Sequence, residues 1–254
     1  MKKTKIGICK ICKENTELSF EHIPPRSAFN RQTKYYSLSS EDYYKNAKEY
    51  IFNGKKPKTK KEQGGHGDFC LCEKCNGFLG SKYVRDYKKF AQIAMNIMLS
   101  ENKEAKAYKF DISDLNLLNL LKQITAIFIC SNDISFTKSY PELLEFVKNE
   151  KMEILSKKFR LYMYLNIEGQ IRNGNRHFTN YYGEICELTF RPFGFVLNIN
   201  NSVRIMEVSE ITGFQFYNRM DKSKEIPIVL NKYPTWYPVP VLDFRTKEEL
   251  NSSK

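Results

Sequence analysis

The spacing of apolar residues changes along the chain, and each change predicts a different kind of element. Between residues 70 and 100, Tyr83, Tyr87, Phe90, Ile93, Ala94, Ile97 and Met98 recur at three- and four-residue intervals, which predicts an amphipathic helix. LNLLNLLKQITAIFIC (115–130) keeps that spacing, with Ser113 or Asp114 as candidate cap. A third helix is expected to begin at Pro141, a favourable first-turn residue, and to run through ELLEFVKNE. From residue 159 the period drops to two. Phe159, Leu161, Met163, Leu165 and Ile167 alternate on one face of one run, and Phe193, Phe195, Leu197 and Ile199 on one face of another. EICELTF, RIMEVSEI, FQFY and IPIVL read as further strands, PVPVLDF reads as sheet core, and GQIRNGN reads as a turn between strands. The last hundred residues are therefore expected to form a mostly antiparallel sheet.

The first 65 residues show no such period. A CxxC is followed by a short apolar-polar stretch that Pro24 and Pro25 terminate. Residues 31–65 are polar and rich in Lys and Tyr. They read as loop, or loop plus a short helix around EDYYKNAKEYIF, with a mobile tail GKKPKTKK. The pattern as a whole predicts an α+β protein in two parts. Residues 1–100 form a small module, and residues 101–254 form a helical connection plus an antiparallel β-rich domain for target recognition or self-association.

Charge narrows the class of partner. With 41 Lys and Arg against 29 Asp and Glu, the 254 residues carry a net charge of +12. An excess of this size suits a polyanion such as nucleic acid, with DNA favoured; the competing reading is lysine filling solvated faces. A homodimer or a defence-system protein is a further candidate partner. No run approaches ~18 uninterrupted apolar residues, so no membrane span is expected. The basic start has no apolar leader behind it, which predicts a cytoplasmic protein with reduced thiols. There, seven cysteines read as metal ligands and core residues rather than disulfides.

Four of them fall in two pairs, Cys9-Lys-Ile-Cys12 and Cys72-Glu-Lys-Cys75. A two-residue gap lets both thiolates of a pair turn onto one ion, and two pairs complete the tetrahedral sulfur site that zinc prefers. Such a closed site is structural. Cys70 could substitute as a ligand or be a buried strand residue, and Cys130 and Cys186 lie in core contexts. Histidine is scarce, and His22 stands beside Glu21 just past the first pair, while Asn76 directly follows the last zinc cysteine. If the four cysteines share an ion, Glu21, His22 and Asn76 are drawn to one site. A carboxylate, an imidazole and an amide oxygen suffice to hold a hard cation and activate a water. The competing reading makes His22 a core histidine at a strand end.

CKICKENTELSFEHIPPRSAF, then GG, then LCEKCNGFLG together resemble the HNH endonucleases, in the branch with a CxxC, EHIIP, GG, CxxCN and G pattern. The resemblance covers residues 9 to about 83. It implies a zinc-stapled ββα-metal module and metal-dependent cleavage of phosphodiester bonds, in restriction or anti-phage defence. On that resemblance His22 corresponds to the general base, and Glu21 and Asn76 to the ligands of a catalytic Mg2+ or Mn2+. Cys9, Cys12, Cys72 and Cys75 correspond to the ligands of structural Zn2+. The family more often has Asp where Glu21 stands. Its central asparagine stands a few residues before the second CxxC, where this chain has His66-Gly67-Asp68. Either His66 or Asp68 takes its place, or His66 faces solvent in a glycine-rich turn.

Substrate contacts are expected from Arg26, which the two prolines hold near His22, and from Lys55, Lys56, Lys58, Lys60 and Lys61 in the insertion. Solvent exposure alone would also account for these lysines. His177 and Trp236 read as structural. A function of another class also fits, a non-catalytic zinc module that binds nucleic acid or a protein partner.

Overall fold

The computed structural model describes residues 5–100, 105–200, 203–220, 225–237 and 243–252. The chain begins with a hairpin, β1 (Lys5–Ile8) and β2 (Asn15–His22), whose turn is the first CxxC. An insertion follows: β3 (Tyr35–Ser37), α1 (Ser40–Ile51) and β4 (Lys60–Glu62). Then β5 (Gly67–Cys72) pairs antiparallel with β2, giving a three-stranded sheet of order β1-β2-β5. Cys72 ends β5 and is also the N-cap of α2 (Glu73–Lys82), so the second CxxC spans a strand-to-helix corner.

The periodic run expected as one helix is two, α2 and α3 (Val84–Ser100), divided at Tyr83. The break has a packing cause. Tyr83 is buried and its hydroxyl donates to the Val147 carbonyl at 2.9 Å. Beyond it, α3 turns its buried face onto another sheet, where Phe90 stacks on Phe193 with centroids 5.0 Å apart. The insertion also differs from its expected form. Lys60 and Lys61, read as part of a mobile tail, belong to β4, which pairs with β3 so that Tyr36 faces Lys61. Ser39 caps α1 by accepting from the Asp42 amide at 3.1 Å.

Strand β6 (Ala107–Ile112), α4 (Leu117–Ser131), α5 (Ile134–Ser139) and α6 (Pro141–Lys148) follow. Apolar on nearly all sides, α4 is buried along its length, as expected for a helix between two layers. It touches α2 and β5 and also a later strand, Arg172–Thr179. Its cap is Asn116, whose side chain accepts from the Asn119 amide. Neither expected cap is used; Asp114 is left-handed at φ 53° and pairs with Lys89. Lys122 lies buried within α4, its Nζ donating to the Asn149 carbonyl at 2.6 Å, and burial lowers its pKa to about 8.

The rest of the chain supplies β7 (Phe159–Asn166), β8 (Arg172–Thr179), β9 (Gly183–Phe190), β10 (Phe193–Ile199), β11 (Ser209–Glu210), β12 (Ile226–Tyr233) and α7 (Lys247–Ser252). The large sheet has the order β6-β12-β7-β10-β9-β8, with β11 beside β7. Its pairs are antiparallel except β12 with β7, which is parallel. Four local readings are corrected here. AYKFDI, not read as a strand, is β6, held by β12. RIMEVSEI contributes only Ser209–Glu210. FQFY lies in a 3-10 helix, Thr212–Arg219, that packs Phe214 inward against α4. The turn precedes RNGN, which is a bulged part of β8 with Gly174 at φ 67°. Residues 238–242 of PVPVLDF lie outside the described residues. The chain is thus a mixed α+β fold, and one continuous core runs from Cys9 and Leu79 through α4 to Phe195 and Leu230.

The face of the large sheet away from α4 is buried too, by a second cluster of Tyr162, Tyr164, Val196, Ile205 and Val208, with Trp236 against it. Gly194 stands opposite Tyr164, and a Cβ there would fall 1.9 Å from the phenol ring. That ring therefore crosses the neighbouring strand and donates its hydroxyl to Glu187 at 2.5 Å. Glu187 is buried and also takes the Arg172 guanidinium and the Trp236 amide, the latter at 2.6 Å. Glu187→Ala leaves Arg172 charged and buried beside a vacated acceptor. It should cost about 3–5 kcal/mol in denaturant unfolding; a loss under about 1 kcal/mol would mean that the network adds little to stability. Among the described residues, no helix is long and apolar enough to cross a membrane.

Candidate functional site

The hairpin turn shapes the first half of the cysteine cluster. The Cys9 amide donates to the Glu14 carbonyl, and Lys13 at φ 69° closes the turn with its amide on the Cys9 carbonyl. Both cysteines of the pair are thereby turned toward β5. The Lys10 amide bonds the Cys70 carbonyl at 2.9 Å, and the Cys72 amide donates to the Cys9 sulfur at 3.4 Å. The four sulfurs of Cys9, Cys12, Cys72 and Cys75 lie within 4.8 Å of one another. Cys12 and Cys72 are 3.8 Å apart, and a tetrahedron with Zn–S of about 2.3 Å has edges of about 3.8 Å. The four thiols could thus hold one ion such as zinc. Burial disfavours the Cys9 thiolate, but backbone amides from Cys72, Cys12 and Ile11 outweigh it and bring its pKa to about 7. Cys70 is not a fifth member; its sulfur lies against Cys130, which it raises well above the usual thiol value, with burial as second cause.

The corner made by β2, β5 and α2 carries the other candidates. On β2, Ser19 and Glu21 share the face toward α2. Asn76 reaches back from the first turn of α2, its amide donating to Ser19 Oγ at 3.2 Å and also bonding the Glu21 carboxylate. Burial is the main cause that raises the Glu21 pKa to about 7, and the Asn76 bond opposes it. So Glu21 and Asn76, 55 positions apart in the chain, meet as expected. Glu21 also faces Asp68 across the β2–β5 ladder, while Asp68 is exposed and accepts its own neighbour's amide, from Phe69, at 2.7 Å.

His22 leaves β2 on the opposite face, with Phe20, whose ring meets it edge-on at 5.1 Å. It makes no described bond to Glu21 or Asn76. Its Nε2 lies 3.1 Å from the Gly64 carbonyl. A carbonyl only accepts, so this bond puts the ring proton on Nε2 and leaves the lone pair on Nδ1. Burial lowers the His22 pKa, the Gly64 carbonyl opposes this, and the Arg26 charge adds to the lowering, so the ring is neutral near pH 7. Arg26 itself is exposed. Gly65, at φ 103°, makes room for the imidazole; a Cβ there would stand 2.6 Å from His22 Cδ2 and 2.4 Å from the Asn30 carbonyl.

Asn30 is the residue that sequence reasoning missed. Fully buried, it donates from Nδ2 to the Pro24 and His66 carbonyls and accepts the His66 amide on Oδ1, each at 2.7 Å. One side chain thus ties the segment after His22 to the segment before β5. The available signal was an amide-bearing residue closely following two prolines, at the end of PPRSAFN. His66, expected as a stand-in or as a solvent-facing residue, is 8% exposed and gives Nδ1–H to the Ile23 carbonyl at 2.6 Å. Its role is to lock the same junction. Asn30→Ala removes three bonds and strands buried peptide groups, so unfolding should cost about 3 kcal/mol less. A variant that matches wild type in a urea titration would show that the junction is held by other contacts.

The insertion lysines do not converge. Lys55, Lys56, Lys58, Lys60 and Lys61 are all exposed; Lys60 pairs with Glu62 at 2.7 Å, and Lys61 lies over the Tyr36 ring. Trp236 packs on Tyr182, as a structural residue should, and His177 lines a polar cavity with Lys10 and Asp133.

Comparison with known proteins finds no family model, no curated protein and no solved structure that matches this chain.

Desolvation of Glu21 gives a pH-dependent prediction. Its folded pKa of about 7 lies above the ordinary 4.5, so the folded protein binds more protons between those values. Stability from this group is therefore full below pH 4.5 and falls as pH rises to about 7. Glu21→Gln removes that loss and should be more stable than wild type at pH 8 by up to roughly 3 kcal/mol, with no gap near pH 4. Thermal melts at both values, with zinc as the sole divalent ion, check this; a difference that does not change with pH would mean that Glu21 titrates normally.

Proposed function

We propose that this protein is a metal-dependent nuclease of the HNH type, hydrolysing phosphodiester bonds in nucleic acid, with DNA the favoured substrate. The observation that carries the reading is the contact of Glu21 on β2 with Asn76 on α2, one residue beyond a four-sulfur cluster. A scaffold needs only the cysteines; it has no use for a desolvated carboxylate beside an amide. Structural zinc at the cysteines would fix the corner on which both residues stand. Glu21 and Asn76 would hold the hard cation, since turning the amide over sets its oxygen beside the carboxylate. That ion, Mg2+ or Mn2+, supplies stabilisation of charge on the phosphate and the leaving oxygen.

The remaining roles belong to the chain. His22, neutral and with its lone pair on Nδ1, takes the proton of the attacking water. The Gly64 carbonyl fixes its tautomer, and Asn30 with His66 fixes the loop that carries Gly64. Arg26, close enough to lower the His22 pKa, would meet a phosphate. A restriction or anti-phage setting fits this activity.

The second reading is a non-catalytic zinc module that binds nucleic acid or a protein partner. The divergence of His22 from the Glu21–Asn76 face of β2 favours it. Supercoiled plasmid incubated with zinc-loaded protein and Mg2+ or Mn2+ separates the two. Nicking that disappears without the second metal supports the nuclease. Retention of DNA on a gel with no cleavage in either metal supports the binding module.

A further inference from the structure

The residue whose carbonyl holds His22 also borders open space. Gly64 lines a groove of about 1100 Å3 between the module and the large sheet. One wall is the segment after the two prolines, with Phe29, Arg31 and Lys34; the other comes from α3 and from the β9–β10 turn, which brings Arg191. Resting on the proposed nuclease reading, we infer that this groove binds a single strand of nucleic acid and leads it past His22.

Three features point to that ligand. The first is charge. Arg31, Lys34 and Arg191 face the groove against one carboxylate among its lining residues, Glu168. Arg245, also in the lining, is already neutralised by Asp243 at 2.6 Å. The second is Arg191 itself. Its Nε is buried and has no hydrogen-bond partner among the described residues, and burial lowers its pKa. A guanidinium that has given up part of its hydration in this way gains more from an anionic oxygen than a fully solvated one does. A backbone phosphate supplies such an oxygen, and the fork of a guanidinium matches its geometry.

The third feature is Phe29. The residue is 44% exposed, and its backbone is left-handed at φ 68°, a conformation that a bulky residue adopts only under constraint. The constraint is visible: buried Asn30 follows it, and the Thr33 hydroxyl donates to the Phe29 carbonyl at 3.3 Å. Phe29 is thereby held in the lining of the groove together with Arg31 and Lys34. Leu99, 63% exposed, offers further apolar surface across the groove. Aromatic platforms alternating with phosphate-binding cations are the means by which single strands are held without regard to sequence. A duplex keeps its base faces stacked inside, out of reach of such a ring.

The test is fluorescence anisotropy with full-length, zinc-loaded protein and no other divalent ion. The probes are a labelled 12-nucleotide DNA strand, the same sequence as RNA, and the DNA duplex. At least ~10-fold tighter binding of the DNA or RNA strand than of the duplex is expected. Phe29→Ala should weaken strand binding by ~10-fold or more. Arg191→Gln should weaken it and reduce the slope of log affinity against log salt by about 0.7, the value for one phosphate contact on a single strand. If Phe29→Ala fails to fold, Lys34→Gln, on an exposed side chain, carries the same salt readout. Equal or tighter binding of the duplex, or wild-type affinity in both Phe29→Ala and Arg191→Gln, overturns the inference. Anisotropy needs no turnover, so an inactive nuclease would leave strand binding intact. Conversely, plasmid nicking by a protein that fails these binding tests would remove the groove and keep the nuclease.

Discussion

Cys72→Ser should release the metal and unfold the first hundred residues together. Cys72 is the member of the cluster with the most structural duties. Its thiol lies 3.8 Å from that of Cys12, its amide donates to Cys9, and it ends β5 while capping α2. Few apolar side chains close the β1–β2–β5 sheet; Leu18, Ile23 and Leu71 are buried, whereas Ile6, Ile8 and Phe20 are exposed. Structural zinc sites of this kind contribute roughly 10–16 kcal/mol of apparent binding energy. That exceeds the whole stability of an ordinary domain, about 5–15 kcal/mol. The expected result is a preparation without stoichiometric zinc by metal analysis, cleaved rapidly between residues 5 and 82 in limited proteolysis. A chelator should do the same to wild type. Since α2 also packs on α4, the large sheet should lose part of its protection as well. A Cys72→Ser protein that melts like wild type would mean that the cysteines hold no metal.

His22→Ala should show the opposite pattern, with zinc and fold retained and turnover reduced at least ~100-fold. The structural cost is small because His22 is only partly buried and its side chain makes one hydrogen bond among the described residues, to Gly64, worth about 1 kcal/mol. On the proposed nuclease reading the chemical cost is large, because no other described imidazole can replace it. His66 is buried with Nδ1–H committed to Ile23, and His177 is on β8. Nicking rates on supercoiled plasmid with Mg2+ or Mn2+, beside zinc content and a melting curve, make the comparison. Unfolding of the variant would make His22 a structural residue. Intact turnover would remove it as the base and direct the search to Glu21.

These two side chains, one in the cluster and one beside it, also mark how far the sequence could be read. Ligand spacing is a local property. Two residues between cysteines fix what each pair can do, and the four sulfurs do gather. Asn76 follows Cys75 directly, so wherever the cluster goes Asn76 goes too, and its contact with Glu21 was legible for that reason. Period-two alternation fixed β7 and β10 nearly to the residue, and Pro141 fixed the start of α6. Elements whose stability comes from a distant partner were not legible. The strand β6 has weak alternation and exists because β12, more than a hundred residues later, pairs with it. FQFY alternates like a strand but has no strand neighbour to pair with among the described residues, and it winds into a 3-10 helix against α4.

The site shows the same division. The sequence by itself determined the donor set: four thiols in two pairs, a carboxylate next to an imidazole, an amide beside the last thiol, and an excess of cations. Tertiary structure decided which groups meet. The pleat of β2 sets His22 and Glu21 on opposite faces, and tertiary packing gave each its partner, Asn76 to Glu21 and the Gly64 carbonyl to His22. It buried His66 and made Asn30 the tie across the junction, since polar backbone turned inward there has to be satisfied by some side chain. It also brought Arg191, 169 positions beyond His22, to the groove that Gly64 shares with it. Chemistry at short sequence separation is written in spacing; chemistry that depends on which surfaces pack is settled only when the core closes.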